Sequence, residues 1–174
     1  MPQPARPDLH TYFLGIALAV RERACCTGNR VGAILVRDKH IIATGHNGTP
    51  AGTPNCDEGG CHRCNHPEMY ASGSGYDLCV CLHAEQNAIL MAAKFGISVE
   101  GATCYTTMRP CFGCSKELLQ VGVTSVHYIH DWSHPDPTYQ AQYLAFQANF
   151  PDGVHQHDIH DPKADWAVRR RRTS

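Results

Sequence analysis

The chain has 174 residues, of which 43% are hydrophobic, and a formal net charge of −1. This length predicts one domain with an ordinary core, and so small a charge gives no general attraction to nucleic acid. No stretch approaches the roughly 20 consecutive apolar residues of a membrane helix, so we expect no membrane span. The N-terminus lacks a charged region followed by an apolar run and a cleavage site of small residues, so we expect no secretory signal. We therefore expect a cytoplasmic protein, and in that reducing compartment its ten cysteines favour metal ligands over disulfides.

The first part of the chain predicts one helix and a pair of strands. Residues 1–10 contain three prolines and are expected to form a disordered lead-in. From Thr11 onward, apolar side chains recur at the spacing of an amphipathic helix, which should end among the turn residues near Gly28. Strands at 31–36 and 40–44 follow, and the polar residues between them predict a turn.

A long, irregular segment separates these elements from the rest of the chain. Residues 45–82 are rich in Gly, Pro, Asn and Cys, and a loop of this length is unusual unless it has a function or is held in place. The elements predicted after it are a helix at 83–95, a strand at 102–108, a helix at 110–121, a strand at 124–129, a helix at 135–148 and a weak strand at 154–159. This alternation predicts a layered α/β fold with some parallel strands.

The C-terminal part contains two unusual groups of side chains. His155, His157 and His160 lie in or next to the weak strand, where an exposed edge strand is favoured over a metal site. Residues 163–174 include four consecutive arginines and predict a solvated basic tail, with contact to a nucleic acid or a phosphate surface as the alternative. The domain itself is therefore expected to span residues 11–162.

Two short fragments combine side chains that bind zinc. One is a His-Ala-Glu sequence beginning at His83, and the other is Pro-Cys-Phe-Gly-Cys beginning at Pro110. Together with the imidazole, the thiols of Cys111 and Cys114 match a catalytic zinc site, in which three N/S ligands leave the fourth position open for water. Glu85 is then a carboxylate that can move protons beside the metal. Either fragment alone also occurs in redox pairs, in structural zinc sites or by chance, so the assignment depends on both.

The order of these fragments resembles the signature of the cytidine and deoxycytidylate deaminase superfamily, and most of residues 11–130 is similar to its deoxycytidylate (dCMP) branch. Further matches are V-G-A at 31–33, G-H-N-G-T-P at 45–50 and H-A-E-Q-N-A at 83–88. The resemblance implies a three-layer α/β/α sandwich around a mixed five-stranded sheet. It also implies a zinc-dependent hydrolase that converts dCMP to dUMP and ammonia.

The resemblance also implies roles for individual residues and for partners. His83, Cys111 and Cys114 would hold the catalytic zinc, while Glu85 would move a proton from water to ring N3 of the cytosine and help ammonia leave. Family members usually form homo-oligomers, and dCMP deaminases are often activated by dCTP and inhibited by dTTP. We therefore expect a homo-oligomer with a nucleotide substrate, and effector binding near residues 45–50.

Three residues are candidates for substrate binding. Asn47 matches the family residue that hydrogen-bonds the sugar or the base, although an Asn-Gly pair is also a turn signal by itself. The backbone of Ala84 would lie near the base. Arg30 precedes the V-G-A match and would bind the phosphate, with an ordinary surface arginine as the alternative.

The cysteines of the long loop point to a second metal site. The loop cannot bury enough apolar surface to order itself, whereas a closed four-ligand zinc would hold it. Some dCMP deaminases resemble this chain in carrying a structural zinc here. The ligands implied by that resemblance and by proximity are Cys26, Cys56, Cys61 and Cys64. Cys79, His62 and His66 compete for the fourth place, and free thiols in an ordinary loop are the alternative.

Two other functions are left open by the sequence. The chain could deaminate another base, such as guanine, a pterin, a triazine or a base within a nucleic acid. Arg109 stands where purine and tRNA deaminases often carry Glu, and a polynucleotide would need a basic, aromatic channel that this composition does not indicate. The second alternative is a zinc-stabilised interaction module without catalysis, although every catalytic residue of the signature is intact.

Overall fold

The computed structural model of the chain describes residues 5–71 and 74–168. The strands within these ranges are β1 (Gly32–Arg37), β2 (His40–His46), β3 (Thr103–Met108), β4 (Ser125–His130) and β5 (Val154–Gln156). The helices there are α1 (Leu9–Arg21), α2 (His62–Asn65), α3 (Ala84–Lys94), α4 (Phe112–Gln120), α5 (Pro137–Gln147) and α6 (Ala164–Ala167). None of these helices combines the length and the apolar character that a membrane crossing requires.

The strands form one mixed sheet in the order β2-β1-β3-β4-β5. β1 runs antiparallel to both of its neighbours, whereas β3, β4 and β5 run parallel to one another. α4 and α5 lie in the connections between these parallel strands, which need a long crossover. The mixed five-stranded sheet is therefore confirmed within the described residues.

Helices cover both faces of the sheet. Successive residues of a strand point to opposite faces, so neighbouring positions of β1 enter different cores. Ile34 packs with Phe13 and Leu14 of α1, whereas Leu35 lies in a second core with residues of α3 and α4. Cys104 is fully buried in this second core as a small apolar residue. The predicted three-layer α/β/α sandwich is confirmed.

β2 lies directly against α3, and a glycine makes this approach possible. A Cβ atom on Gly45 would lie 2.1 Å from the carbonyl oxygen of Ala84 and 2.4 Å from the amide nitrogen of Ala88. Because no side chain fits there, Gly45 sets the distance between the strand and the helix. α3 begins at Ala84, so this contact fixes the position of its first turn relative to the sheet.

α1 differs from the predicted helix at both ends. It begins at Leu9, inside the expected lead-in, because the Asp8 side chain accepts a hydrogen bond from the Thr11 amide at 2.9 Å and caps the helix. It ends at Arg21, several residues before the predicted turn. The residues that follow leave the helical path and carry Cys26 into the buried interior of the long loop.

A buried ion pair connects the end of α1 to the C-terminal part of the chain. The Arg21 guanidinium donates to both carboxylate oxygens of Asp161, at 2.5 and 2.8 Å, and both side chains are almost fully buried. His130, at the end of β4, lies 2.7 Å from the same carboxylate. Because the chain leaves the sheet after Gln156 to reach this pair, β5 is shorter than the predicted strand at 154–159.

Part of the predicted basic tail is folded. α6 lies inside the segment 163–174, and its Ala167 is buried and accepts a hydrogen bond from the Arg30 amide at 2.8 Å. The tail prediction is therefore wrong as far as residue 168. The arginine run Arg169–Arg172 lies outside the described residues.

The long loop begins and ends at one place. It contains α2 and short turns of 3-10 helix in its described part. Gly48 and Leu82 pair as an isolated antiparallel bridge, with N–H to carbonyl distances of 3.2 and 2.9 Å. The two ends of the loop are therefore joined to each other immediately before the His-Ala-Glu fragment.

Candidate active site

The N-termini of α3 and α4 meet at one point. His83 is the N-cap of α3 and Cys111 is the N-cap of α4, while Cys114 lies in the first turn of α4. The Nδ1 atom of His83 lies 3.4 Å from the Cys111 sulfur and 3.3 Å from the Cys114 sulfur. A tetrahedral zinc with bonds of about 2.3 Å to sulfur and 2.05 Å to nitrogen would separate such ligand atoms by roughly 3.6 Å. The structure thus brings the three predicted ligands together, and their donor atoms fit a zinc ion.

The surroundings of Cys111 favour its thiolate form. It stands at the start of α4, where unpaired backbone amides and the helix dipole stabilise a negative charge. A hydrogen bond from Cys114 and the adjacent imidazole of His83 lower the pKa of Cys111 to about 4. The form of the side chain that binds metal is therefore present at neutral pH.

Glu85 is the acid–base candidate, and it is buried in the first turn of α3. The residue is 3% exposed, and this burial raises the pKa of its carboxyl above the ordinary value. The Thr106 hydroxyl on β3 donates a hydrogen bond to Glu85 Oε1 at 2.9 Å. The carboxyl also interacts electrostatically with His83 and Cys111. A carboxyl with a raised pKa beside metal ligands is suited to accepting and releasing a proton.

A hydrogen-bond network from α5 holds the segment that carries Cys111. The Tyr143 hydroxyl donates to the carbonyl of Pro110, and burial raises the pKa of Tyr143 so that it remains a donor. Gln147 donates to the same carbonyl at 3.3 Å and accepts a hydrogen bond from Arg109 Nε at 2.9 Å. These supporting residues were not predicted, because no local pattern connects Tyr143 to a carbonyl 33 residues away.

Asn47 is buried at the start of the long loop, where its side chain bonds the backbone. Its Oδ1 atom accepts from the Val31 amide at 2.8 Å, and its Nδ2 atom donates to the Asn29 carbonyl at 2.7 Å. These bonds connect the loop to the segment that precedes β1. An amide side chain has two N–H donors and two acceptor positions, so the substrate role of Asn47 stays a prediction.

The other two substrate candidates occupy different environments. Ala84 is fully buried and packs with Val31 and Met108 in an apolar cluster at the start of α3. The Arg30 guanidinium lies over the Trp166 ring, 4.6 Å from its centroid, and donates to the Trp166 carbonyl at 3.1 Å. Phosphate binding by Arg30 would therefore use its other N–H groups. Both roles stay predictions.

The predicted ligands of the second zinc site are close together but do not form one group. Two overlapping groups of described cysteines have their sulfur atoms within 4.8 Å of one another: Cys26, Cys56, Cys64 and Cys81, and Cys61, Cys64, Cys79 and Cys81. In the first group Cys81 takes the place predicted for Cys61. His62 and His66, two of the proposed competitors, are in neither of these groups, whereas Cys79 is in the second. Cys81 was not predicted as a ligand, although its place just before the His-Ala-Glu fragment was a signal.

Histidines form a further cluster at the sheet edge. His10 of α1, His127 of β4 and His157 beyond β5 have ring nitrogens within 4.8 Å of one another, and the rings of His127 and His157 are joined at 2.8 Å. β5 lies at the edge of the sheet, as predicted. Burial lowers the pKa of His127 to about 3. The sequence could not reveal this cluster, because its members come from three separate elements.

Comparison with known proteins agrees with this geometry. The model of the cytidine and deoxycytidylate deaminase zinc-binding region matches residues 7–130. The deoxycytidylate deaminase of Schizosaccharomyces pombe is 42% identical over 127 residues, which are 73% of this chain and 38% of that protein. The deoxycytidylate deaminase of Mycobacterium phage D29 is 39% identical over 127 residues, which are 71% of this chain and 96% of that protein.

A solved structure extends the similarity to the fold. The crystal structure of dCMP deaminase from the cyanophage S-TIM5 in complex with dCMP and dUMP is 27% identical, with a TM-score of 0.66, over 88% of this chain and 100% of that chain. The chain spans less than half the length of its two yeast relatives, namely 38% and 42%. The region matched by the family model contains both fragments of the zinc site. The chain therefore belongs to the cytidine and deoxycytidylate deaminase family.

Proposed function

We propose that the chain catalyses the zinc-dependent hydrolysis of dCMP to dUMP and ammonia. The observation that carries this proposal is the group of His83, Cys111 and Cys114 with the buried carboxyl of Glu85 beside it. The relatives support the substrate. The phage D29 protein, of which the chain covers 96%, is named a deoxycytidylate deaminase, and the S-TIM5 structure contains dCMP and dUMP.

The residues of the site divide the reaction between metal binding and proton transfer. A zinc ion held by His83, Cys111 and Cys114 would supply the Lewis acidity that makes water a nucleophile at neutral pH. Glu85 accepts a proton from the attacking water, delivers it to ring N3 of the cytosine, and carries a second proton to the departing amine. The hydrogen bond from Thr106 orients the Glu85 carboxyl for these transfers. One water is consumed and one ammonia is released.

We assign substrate binding to three residues. Asn47 would bond the sugar or base through the amide positions that its backbone contacts leave available. The backbone of Ala84, next to the metal ligand His83, would face the base. Arg30 would bind the phosphate, since a guanidinium fork matches phosphate oxygens and its contact with α6 holds it in place.

A separate structural zinc centre belongs to the proposal. Cys26, Cys56, Cys64 and Cys81 support it, because their sulfur atoms are close enough to bind one ion. Such a centre requires reduced cysteines, and all ten cysteines, each of which lies in the described part of the chain, are free thiols. This supports a reducing compartment such as the cytoplasm. The catalytic domain would then comprise residues 11–162, extended by the first turn of α1 from its N-cap Asp8 and by α6.

The proposal also includes a homo-oligomer and nucleotide effectors. Leu90, Met91 and Phe95 of α3 and its C-terminal end are exposed, at 51%, 46% and 67%. Neighbouring exposed apolar side chains on one helix are typical of an interface, and a second copy of the chain would cover them. dCTP and dTTP would bind near residues 45–50. Light scattering with and without each nucleotide tests both points, and a monomer under all conditions would contradict them.

Ammonia release from purified protein tests the proposed reaction. We expect turnover of dCMP to exceed that of CMP, deoxycytidine, guanine and adenine. Glu85→Gln should lower kcat by about 10²–10⁴-fold and leave the zinc content unchanged, whereas Glu100→Gln, an exposed carboxyl elsewhere, should change neither. Turnover of a purine without dCMP would contradict the substrate assignment. Turnover of no base would favour the interaction module.

A further inference from the structure

Cys26 and five cysteines of the long loop form two groups that share two members. The six residues concerned are Cys26, Cys56, Cys61, Cys64, Cys79 and Cys81. A closed zinc site made of cysteines uses four thiolates. Each group can therefore bind its own ion only if the sulfur atoms of Cys64 and Cys81 bind both ions. We propose that the loop binds two zinc ions bridged by the thiolates of Cys64 and Cys81, in addition to the ion of the catalytic site.

The distances between the sulfur atoms match the edges of zinc tetrahedra. Cys64 lies 3.7 Å from Cys26 in the first group and 3.6 Å from Cys79 in the second. Cys61 and Cys79 are 3.8 Å apart, and the shared pair of Cys64 and Cys81 is 4.0 Å apart. Zinc–sulfur bonds of about 2.3 Å give tetrahedral edges of roughly 3.8 Å, whereas the sulfurs of a disulfide are about 2.05 Å apart. The spacing therefore suits shared metal ions.

Cysteines form the core of this loop. Its buried cluster consists of cysteine side chains, while larger apolar residues of the loop point outward, such as Met69 and Leu78 at 65% and 62% exposed. Ordering a residue costs about 1–2 kcal/mol of backbone entropy, and small thiols bury too little apolar surface to offset this over so long a segment. Bound metal supplies the stabilisation that side-chain burial lacks.

Two ions fit the charges of this core better than one. One zinc with four thiolates and two zincs with six thiolates carry the same net negative charge. A second ion therefore incorporates two more thiolates without making the site more negative. With a single ion in the first group, the fully buried Cys61 would remain a thiol against a negatively charged site. The Thr27 amide donates to the Cys56 sulfur at 3.4 Å, which is the contact expected for a thiolate ligand.

The cluster joins segments that adjoin the active site. Cys26 lies shortly before Asn29, whose carbonyl bonds the side chain of Asn47. Cys81 stands two residues before the metal ligand His83. The two ions would therefore hold the chain on both sides of the catalytic centre, and their loss should loosen it.

Zinc analysis of the full chain, purified after growth with added zinc, tests the proposal. We expect three zinc ions per chain. Cys61→Ser removes a ligand from the second group alone and should lower the count to two. Cys25→Ser is the matched control, because Cys25 neighbours Cys26 but is in neither group of the described cysteines, and the count should stay at three. His157→Ala should also keep three ions, which excludes the histidine cluster as the source of the third.

Cadmium-113 NMR of the wild-type protein provides a readout that needs no variant to fold. Two bridged ions should give two resonances coupled through the shared sulfurs, apart from the resonance of the catalytic site. Two zinc ions per wild-type chain, an unchanged count in Cys61→Ser, or uncoupled resonances would overturn the proposal. Bound iron with visible absorption, or a lower count in His157→Ala, would overturn it as well.

Discussion

Asp161→Asn removes the negative partner of a buried arginine. Arg21 is 1% exposed, and its guanidinium bonds both oxygens of Asp161, at 2.5 and 2.8 Å. Removing one partner of a buried ion pair leaves an uncompensated charge, which costs about 3–5 kcal/mol of unfolding free energy. In a protein of this size each kcal/mol corresponds to about 2–4 °C. We therefore expect the melting temperature at pH 7, followed by circular dichroism, to fall by roughly 6–20 °C.

An exposed ion pair between the same two segments serves as the control. Lys163 Nζ lies 2.5 Å from a carboxylate oxygen of Glu22, and these side chains are 54% and 42% exposed. Exposed pairs contribute about 0–1 kcal/mol, so Glu22→Gln should lower the melting temperature by about 4 °C at most. A loss in Asp161→Asn no larger than the loss in Glu22→Gln would refute the reasoning.

The pH dependence of stability provides a second check on the same pair. Hydrogen bonds from Arg21 and then from His130 lower the pKa of Asp161 well below its ordinary value of 3.8. A carboxyl whose pKa is lowered on folding stabilises the protein above its ordinary pKa, and this contribution is lost as the pH falls. The stability difference between wild type and Asp161→Asn should be full at pH 7 and shrink below about pH 4. A difference that stays constant over this range would contradict the assignment.

Two further predictions concern the supports of the active site. Tyr143→Phe removes the hydroxyl that donates to the Pro110 carbonyl. It should lower the free energy of unfolding, measured in urea, by about 1 kcal/mol. An unchanged free energy would mean that this bond contributes nothing to stability. Gly45→Ala places a Cβ 2.1 Å from the Ala84 carbonyl and should cost about 1–3 kcal/mol or more in the same assay. Gly15→Ala, in an open position of α1, should instead stabilise by about 0.5–1 kcal/mol, and equal effects of the two glycine replacements would disprove the steric argument.

The close grouping of His83, Cys111 and Cys114 could be predicted because each of the three lies in a short local pattern. His83 and Cys111 are the residues at which helices begin, and the sequence marks both helix starts within a few positions. The alternation of helices and strands was also visible, because it depends on the spacing of apolar side chains along each element. The distance between the two fragments could not be predicted from either pattern alone. It depends on β3, which runs between the two helices.

The ends of elements and their supports could not be predicted, because they depend on contacts between distant parts of the chain. α1 ends at Arg21, whose partner Asp161 is 140 residues away. Nothing in the local pattern of the basic tail indicates that Ala167 is buried against the segment before β1. In the sequence, Tyr143 and Gln147 likewise have no feature that distinguishes them from other residues of a helix. In the structure, their side chains donate hydrogen bonds to the Pro110 carbonyl, next to Cys111.

The second cysteine site shows a different limit of sequence reasoning. The abundance of thiols in the loop was evident, but their grouping depends on the path of a chain with little regular structure. Cys81 lies 17 residues after Cys64, outside the dense run of cysteines, so local spacing does not connect the two. In the structure the bridge between Gly48 and Leu82 brings the end of the loop back beside its beginning. Cys81, which precedes Leu82, thereby lies within the cysteine cluster.

That same bridge closes the excursion between Gly48 and Leu82, so that both of its ends meet just after β2. Doubling the length of a flexible loop adds only about 0.6 kcal/mol to its closure cost. Insertions and deletions between the cysteines of this segment should therefore be tolerated as long as both anchor points and the metal-binding cysteines are kept. We therefore expect homologues of this chain to differ in the length of this excursion while they keep the same two anchor points and the same grouping of His83, Cys111 and Cys114.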